Sequence, residues 1–339
     1  MTDSYNIAVV GATGAVGSVM LKLLEERNFP VAEIRAFASG RSAGQTVPFK
    51  GGELEVEELT ASGFEGVQVA LFSAGGARSK EFAPAAVAAG AVVIDNSSAF
   101  RQEPNVPLVV PEVNPEDIKW HEGIIANPNC STIQMVVALK PIYDAVGIER
   151  IIVTTFQSVS GTGNKAIEEL FNQSEAVLES GDVEVNVYPH RIAFNVLPHI
   201  EHFHDNGYTN EEVKMINETR KIFDDPGIRV TATCARVPIF NAHCESINIQ
   251  TMRPVSVDEV RRLLLAAPGV TLFDDPAANE YPMPLMAEGK DDVFVGRIRE
   301  DDSAENSLNL WVVSDNLRKG AATNAVQIAE LLAGGGLLE

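Results

Sequence analysis

One cysteine in this chain lies directly before a predicted helix, a position that suits a nucleophile. Residues 125–132 read Ile-Ala-Asn-Pro-Asn-Cys-Ser-Thr, and the apolar stretch from Ile133 through Leu139 predicts a helix directly after Cys130. Backbone N–H groups at a helix start favour a thiolate and can stabilise an oxyanion on a carbonyl under attack. The segment therefore indicates acyl transfer by Cys130. Taken alone, it also fits a small apolar residue that packs at a helix start.

A glycine-rich turn near the N-terminus predicts a dinucleotide site. Gly11, Gly14 and Gly17 follow a predicted strand, Asn6 to Val10, and open an amphipathic helix. Glycines at this spacing allow a tight turn and the close approach of a pyrophosphate to the helix N-terminus. A merely structural turn is the alternative. A cysteine nucleophile combined with a hydride carrier indicates an acyl group that passes through a thioester between the acid and aldehyde oxidation states.

The end of the second predicted strand bears on which dinucleotide binds. Enzymes that use NAD usually place an acid there, on the ribose 2′-hydroxyl. This chain has no acid between Glu33 and that point, and it has Ser39, Arg41 and Ser42 instead. Arginine pairs well with phosphate, so the sequence predicts NADP. The alternative is a solvated loop with an ordinary arginine.

The hydrophobic pattern changes character near residue 150. Before it, further strands are predicted at 33–38, 67–73, 92–95 and 108–110, with helical patterns between them, as in a doubly wound parallel sheet. After it, β-branched runs at 151–156, 228–239, 246–251, 293–298 and 307–313 predict a larger mixed sheet with helices on one face. A final helix is predicted at 320–332. The fold class is therefore α/β: a Rossmann-like nucleotide domain plus an α+β domain with a large mixed sheet.

Composition excludes several classes of partner. The formal net charge of −21 argues against nucleic acid and anionic membranes. The three cysteines have no framework spacing and fit a reducing compartment. We see neither a signal peptide nor a membrane-spanning run, and expect a cytoplasmic protein. The compact cluster His199, His202 and His204 is interpreted as a solvated loop, and no metal site is predicted.

Ten segments together resemble one family, the aspartate-β-semialdehyde dehydrogenases of the bacterial type. They are GATGAVG at 11–17, ASGRSAG at 38–44, DNSSAFR at 95–101, VPEVNP at 110–115, NPNCSTIQ at 127–134, QSVSGTG at 157–163, AFNVLPHI at 193–200, YTNEEVKMINETRKI at 208–222, ATCARVPIFNAHCES at 232–246 and DNLRKGAATNAVQIAE at 315–330. They run nearly end to end in the family's order. The resemblance implies an NADP-binding domain over 1–130 with 316–339, and a catalytic and dimerisation domain over 131–315.

The resemblance also implies roles for individual residues. Cys130 matches the family nucleophile, His243 the acid/base that serves it, and Gln157 the amide that orients the acyl-enzyme. Arg101 and Lys214 match the groups that hold the acyl phosphate or free phosphate.

For the rest of the substrate, Arg236 matches the arginine that clamps the α-carboxylate. Glu211 matches the acid that receives the amino group, with Glu212 as the fallback if the register slips. The cofactor contacts implied by the turn and the resemblance are Gly11, Thr13, Gly14, Ala15, Val16, Ser39, Arg41, Ser42, Ser73, Ser160, Gly161 and Asn316.

The implied activity is NADPH-dependent reductive dephosphorylation of L-aspartyl-4-phosphate to L-aspartate-4-semialdehyde, a step in the biosynthesis of lysine, methionine and threonine. A homodimer or homotetramer is implied as well. The nearest alternative is N-acetyl-γ-glutamyl-phosphate reductase, whose blocked amine needs no acidic partner such as Glu211. A non-catalytic NADP-binding sensor is a second alternative, but it predicts a missing nucleophile or base, and neither is missing.

Overall fold

The computed structural model describes residues 4–338. The chain divides into two compact units, the first comprising Met1–Asn129 and Ala321–Glu339, the second Cys130–Gly320. Within the described residues, no helix combines the length and the apolarity needed to cross a membrane.

The strands are β1 (Tyr5–Val10), β2 (Val31–Ala38), β3 (Thr46–Phe49), β4 (Gly52–Glu58), β5 (Val69–Phe72), β6 (Val92–Asp95), β7 (Ile124–Ala126), β8 (Ile148–Gln157), β9 (Arg229–Arg236), β10 (His243–Thr251), β11 (Val270–Leu272), β12 (Val293–Glu300) and β13 (Ser307–Ser314). The helices are α1 (Ala15–Glu26), α2 (Gly76–Ala88), α3 (Cys130–Val146), α4 (Asn164–Leu178), α5 (Asn210–Ile222), α6 (Val257–Ala266), α7 (Pro284–Ala287) and α8 (Thr323–Gly334).

The first unit is a doubly wound sheet with the order β3-β4-β2-β1-β5-β6-β7. All neighbouring strands are parallel except β3, which pairs with β4 as an antiparallel hairpin. Alternate residues of β1 enter two different apolar clusters: Ile7 and Val9 pack with α1 and α8, whereas Ala8 and Val10 pack with α2. Because both faces are covered, the strand is apolar at every position that lies in the core.

One predicted strand of the first unit is wrong. Residues 108–110 form no ladder; Leu108 makes a single isolated bridge with Ala126, and the edge strand is β7 instead. Pro107 and Pro111 flank the segment, and a proline has no N–H to continue a ladder. The β3–β4 hairpin was not predicted from the sequence either.

The second unit is a six-stranded mixed sheet with the order β11-β12-β13-β10-β8-β9. Strands β8 and β9 are parallel, and β10 is antiparallel to both β8 and β13. Helices α3, α5 and α6 contact this sheet. The predicted mixed sheet with helices against it is confirmed, although the short strand β11 was not predicted.

Candidate active site

Three predicted site residues of the second unit meet at one sheet edge. Gln157 is the last residue of β8, and Arg236, its register partner, is the last residue of β9. His243 is the first residue of β10, which runs antiparallel beside β8. Parallel strands end at the same edge and an antiparallel neighbour begins there, so the topology alone brings these residues together. All three side chains are buried.

His243 has a defined tautomer in this arrangement. Its Nδ1 lies 3.1 Å from the Ser158 backbone nitrogen and 3.0 Å from the Ser158 hydroxyl. A backbone N–H can only donate, so Nδ1 accepts and the proton of the neutral ring resides on Nε2. Within the described residues Nε2 has no hydrogen-bond partner. Burial, reinforced by the nearby Arg236 charge, lowers the pKa of His243 to about 3. The imidazole is therefore a neutral donor at Nε2.

Arg236 and His243 line a space above Gly161. A Cβ added at Gly161 would lie 3.2 Å from Arg236 Nη1 and 3.3 Å from His243 Nε2. Arg236 Nη1 donates to the Ser158 carbonyl at 2.6 Å, whereas its buried Nε has no partner among the described residues. The absence of a side chain at Gly161 thus leaves space beside the Arg236 guanidinium and beside the unpartnered Nε2 donor of His243, which suits an anionic or carbonyl oxygen.

Glu211 connects Gln157 to a lysine. Gln157 Nε2 donates to Glu211 Oε1 at 3.1 Å, and Lys214 Nζ lies 3.2 Å from Glu211 Oε2. Glu211 is the second residue of α5 and is buried. A carboxylate so placed can receive a substrate ammonium group beside the guanidinium edge of the site.

The structure separates Glu211 from its neighbour Glu212. The carboxylate of Glu212 accepts from the backbone nitrogens of Thr209 at 2.7 Å and Cys234 at 2.9 Å. Together with Thr209 it forms the capping box of α5. Both of its oxygens hold backbone groups, so Glu211 is the better candidate for the substrate. The pattern Thr-x-x-Glu at 209–212 is a sequence signal that could have settled this choice.

Cys130 is the first residue of α3, as the sequence predicts. It is half-buried and packs against the backbone of Gly320, where an added Cβ would lie 3.0 Å from Cys130 Cβ. Gly320 belongs to a π-helical turn, Arg318–Ala322, a feature frequent at functional sites. Among the described residues no disulfide involves Cys130, Cys234 or Cys244.

Ser160 and Asn316, predicted to contact the cofactor, lie in one network that supports the His243 segment. Asn316 Oδ1 accepts from the Ala242 backbone nitrogen at 2.9 Å and from the hydroxyls of Ser158 at 3.1 Å and Ser160 at 3.2 Å. The network fixes the residue before His243 and the serine that contacts Nδ1. Sequence analysis missed Ser158, although it stands directly after Gln157.

The predicted cofactor residues of the first unit surround a small cavity. Its volume is about 190 Å³, and the predicted residues that line it are Gly11, Thr13, Gly14, Ser39 and Ser73. Ala15 and Val16 begin α1 directly after it.

The backbone of this cavity is shaped for close approach. Gly11 has φ +88°, and a Cβ there would lie 2.4 Å from the Ser73 carbonyl oxygen. Among the described residues no side chain caps α1 at Gly14, so a phosphate can accept from its first N–H groups. These residues therefore fit the pyrophosphate of a dinucleotide.

Two arginines of the first unit bear on the cofactor, and only one of them was predicted from the sequence. Arg78, at the start of α2, lines the cavity and was missed. Arg41 and Ser42 lie in the turn after β2; Arg41 is exposed and neither residue lines the cavity. Arg41 follows the cavity-lining Ser39 by two positions in the chain, and the 2′-phosphate interpretation stays a prediction.

Arg101 lies in the first unit and holds the segment that precedes Cys130 in the chain. Its Nε donates to the Asn127 carbonyl and its Nη2 to the Asn96 carbonyl, each at 2.9 Å. Asn127 in turn accepts from Asn324 Nδ2 at 2.7 Å. Arg101 thus has a structural task besides the phosphate contact predicted for it.

Tyr188 is a further residue that sequence analysis missed. Its ring faces the Arg236 guanidinium, 5.9 Å from centroid to Cζ, and its hydroxyl lies 3.0 Å from Thr162 Oγ1. The Glu169 carboxylate holds the tyrosine's segment by accepting from the backbone nitrogen of Asn186 at 2.8 Å. No motif marks Tyr188, since its relation to Arg236 depends on a loop that packs against α4.

Metal coordination finds no support in the histidine cluster. Across residues 4–338, no group of three or more His, Cys, Asp or Glu side chains is arranged to hold a metal ion. The rings of His202 and His204 lie 5.1 Å apart, and His199 stacks on Phe203.

Comparisons with known proteins agree with both halves of this architecture. Residues 6–121 match the family profile described as semialdehyde dehydrogenase, NAD binding domain, and residues 139–319 match semialdehyde dehydrogenase, dimerisation domain. The fold and the site together thus define this chain as a two-unit enzyme of the semialdehyde dehydrogenase class.

Individual relatives narrow the class. The aspartate-semialdehyde dehydrogenase of Aquifex aeolicus is 59% identical over 98% of this chain and 99% of its own. The crystal structure of aspartate semialdehyde dehydrogenase II from Vibrio cholerae complexed with ASA is 52% identical, with a TM-score of 0.96 over 98% of this chain and 99% of that one. The enzyme from Candida albicans, solved with NADP, is 26% identical, with a TM-score of 0.74 over 97% and 98%. This chain belongs to the aspartate-semialdehyde dehydrogenase family.

Proposed function

We propose that this protein reduces L-aspartyl-4-phosphate to L-aspartate-4-semialdehyde through a thioester on Cys130, reversibly and with NADPH. The assignment of the substrate rests on one observation, the presence of two opposite charges at one site. Arg236 suits the α-carboxylate, and Glu211, linked to the same site by Gln157, suits the α-ammonium group. N-acetyl-γ-glutamyl phosphate carries no ammonium group, so Glu211 favours the aspartate substrate.

The chain's own groups account for the chemistry as follows. Cys130 thiolate attacks the acyl phosphate, and backbone N–H groups at the start of α3 stabilise the oxyanion. Arg101 and Lys214 hold the departing phosphate. NADPH, when bound along the turn at Gly11–Gly14, supplies the hydride that reduces the thioester. The Nε2–H of His243 then stabilises the thiohemiacetal oxyanion, whose collapse expels the Cys130 thiolate and releases the aldehyde.

A direct assay tests this function. Aspartate semialdehyde, phosphate and NADP added together should raise the absorbance of the reduced nicotinamide, and omission of phosphate should abolish the rise. N-acetyl-glutamate semialdehyde should give no comparable rate. A preference for the acetylated substrate would assign the chain to the other reductase.

We further propose that the cofactor is NADP, read in part by Arg41. Replacement Arg41→Ala should weaken NADP by about 1.5–3 kcal/mol, the range for a hydrogen bond to a charged group, and should leave NAD almost unaffected, because NAD has no 2′-phosphate. The measurement is kcat/KM for both cofactors at low and high salt, since an exposed pair weakens as salt rises.

Lys50→Ala, which removes another exposed cation of the same unit, is the matched control and should change neither cofactor. Equal losses with NAD and NADP in Arg41→Ala would mean that Arg41 only shapes its turn. A wild-type preference for NAD would reject the NADP assignment itself.

Arg236→Lys should weaken substrate binding, because lysine keeps the charge and loses the two-pronged geometry. One lost charge-assisted contact is worth about 1.5–3 kcal/mol, and we expect kcat/KM for the semialdehyde to fall roughly tenfold to a hundredfold. Arg229→Lys is the control: this arginine begins the same strand, is exposed and pairs with Glu149. Kinetics equal to wild type in Arg236→Lys would remove Arg236 from the substrate site.

We also propose that the protein acts as a homodimer or homotetramer in the cytoplasm. Several large apolar side chains of the second unit are exposed in the single chain, as expected for a surface that another subunit covers. They include Phe171, Phe194, Val196 and Phe203.

A further inference from the structure

Lys214 is held between two carboxylates, and the proposed chemistry uses only one of them. Its Nζ lies 3.2 Å from Glu211 Oε2 and 2.5 Å from Glu201 Oε1. Glu211 is the proposed partner of the substrate ammonium group, whereas Glu201 has no assigned task. The side chain of Glu201 is 40% exposed and that of Glu211 only 5%, so Glu201 is the carboxylate on the solvent side of Lys214.

Glu201 is fixed in position at the start of α5. Besides Lys214, its carboxylate accepts a hydrogen bond from the Asn210 side chain. The Asn210 backbone nitrogen donates to the carbonyl of His202 at 2.9 Å, which ties the Glu201 segment to the same helix start. Glu201 also has φ +65°, a left-handed conformation that is unfavourable for a residue other than glycine. The fold thus maintains an unfavourable backbone conformation at the residue that contacts Lys214.

We propose that Glu201 occupies, on Lys214, the place that the substrate phosphate takes, and so weakens phosphate binding and favours phosphate departure. This inference rests on the proposed function, in which Lys214 holds phosphate. A carboxylate in contact with the ammonium group offsets its charge, and it repels an incoming dianion. Phosphate must therefore displace Glu201 to bind, and Glu201 regains its ion pair when phosphate leaves.

The two carboxylates also balance the charge of Lys214 when no substrate is bound. Before substrate binds, Lys214 pairs with Glu211 and Glu201. A substrate that carries both an ammonium group and a phosphate can exchange partners with these pairs, its ammonium taking Glu211 and its phosphate taking Lys214. Phosphate alone breaks a pair and supplies no ammonium in return, so its affinity should be low.

Glu201→Gln tests the proposal, because glutamine keeps the shape and removes the charge. In the oxidative direction the KM for inorganic phosphate should fall roughly threefold to tenfold, a range set by a partly exposed ion pair. Product inhibition by phosphate in the reductive direction should strengthen by the same factor. The KM values for the semialdehyde and NADP should stay within twofold of wild type. Loss of a merely structural contact would raise KM or lower kcat, and would not tighten one ligand selectively.

Two further variants keep the outcomes distinct. Glu149→Gln makes the same charge change at an exposed ion pair of the second unit, 2.6 Å from Arg229, and should leave phosphate kinetics unchanged. Lys214→Ala should raise the phosphate KM. If it does not, Lys214 does not hold phosphate and that part of the proposed function is wrong. If it does, and Glu201→Gln leaves the phosphate KM unchanged or raises it, the inference about Glu201 alone is overturned.

Discussion

Replacement Cys130→Ala should abolish reduction of aspartyl phosphate while NADP binding remains nearly intact. The thioester cannot form without the thiol, so we expect kcat to fall by at least about 10⁴-fold. NADP binding should persist because the glycine turn lies in the other compact unit. Steady-state kinetics and titration of NADP by calorimetry measure the two effects separately.

The other two cysteines are matched controls for this prediction. Burial raises the pKa of the Cys244 thiol to about 12, and burial together with the charge of Glu211 raises the pKa of Cys234 further. Neither thiol forms a thiolate near neutral pH, so neither can act as a nucleophile. Cys244→Ala and Cys234→Ala should keep substantial activity. Full activity in Cys130→Ala would reject the thioester mechanism.

His243→Gln should lower kcat by about 10²–10⁴-fold, the usual range for loss of a positioned proton donor or acceptor. The KM for the semialdehyde should change little, because Arg236 and Glu211 remain to bind the charged groups. The tautomer makes a sharper prediction. Since Nε2 already carries a proton, His243 cannot take one from Cys130, and the rate at which iodoacetamide alkylates Cys130 should stay within a few-fold of wild type. A large loss of alkylation would instead identify His243 as the base that forms the thiolate.

The same residue predicts how stability depends on pH. The folded imidazole has a pKa of about 3, whereas an unfolded one has a pKa of about 6.5. Between these values the unfolded chain binds more protons, so the free energy of unfolding falls as the pH is lowered from about 6.5 toward 3. From pH 7 to pH 5 this contribution amounts to about 2 kcal/mol.

Urea unfolding at pH 7 and pH 5 gives the slope of the free energy of unfolding against pH. The difference in this slope between wild type and His243→Gln measures the contribution of the imidazole. His204→Gln, which removes an exposed histidine, should keep both the wild-type slope and the wild-type kcat. Identical slopes in wild type and His243→Gln would mean that the buried imidazole titrates normally.

Local signals in the sequence were enough to predict the glycine turn and the helix that begins at Cys130. The glycines at 11, 14 and 17, followed by an apolar stripe of helical period, predicted the turn and α1, because backbone freedom and helical period are properties of neighbouring residues. The helix after Cys130 was predicted for the same reason, and it extends to Val146. Where the local signal conflicted with sheet pairing, at 108–110, the flanking prolines prevented a ladder and the prediction failed.

The sequence by itself determined the glycine turn and the two kinds of sheet, and it predicts a nucleophile and, through a resemblance that runs nearly end to end, a set of residues for the chemistry. Only the tertiary structure decided what each of them does to its neighbours. The proton on Nε2 of His243 depends on Ser158, 85 residues away in the chain. The structural use of Glu212 depends on a contact with Cys234, 22 residues away, and the neutralisation of Lys214 on Glu201, 13 residues away. Such contacts depend on how strands β8 and β10 and the start of α5 pack together. A pattern of residue types along the chain does not say which polar atoms this packing leaves paired and which it leaves without a partner.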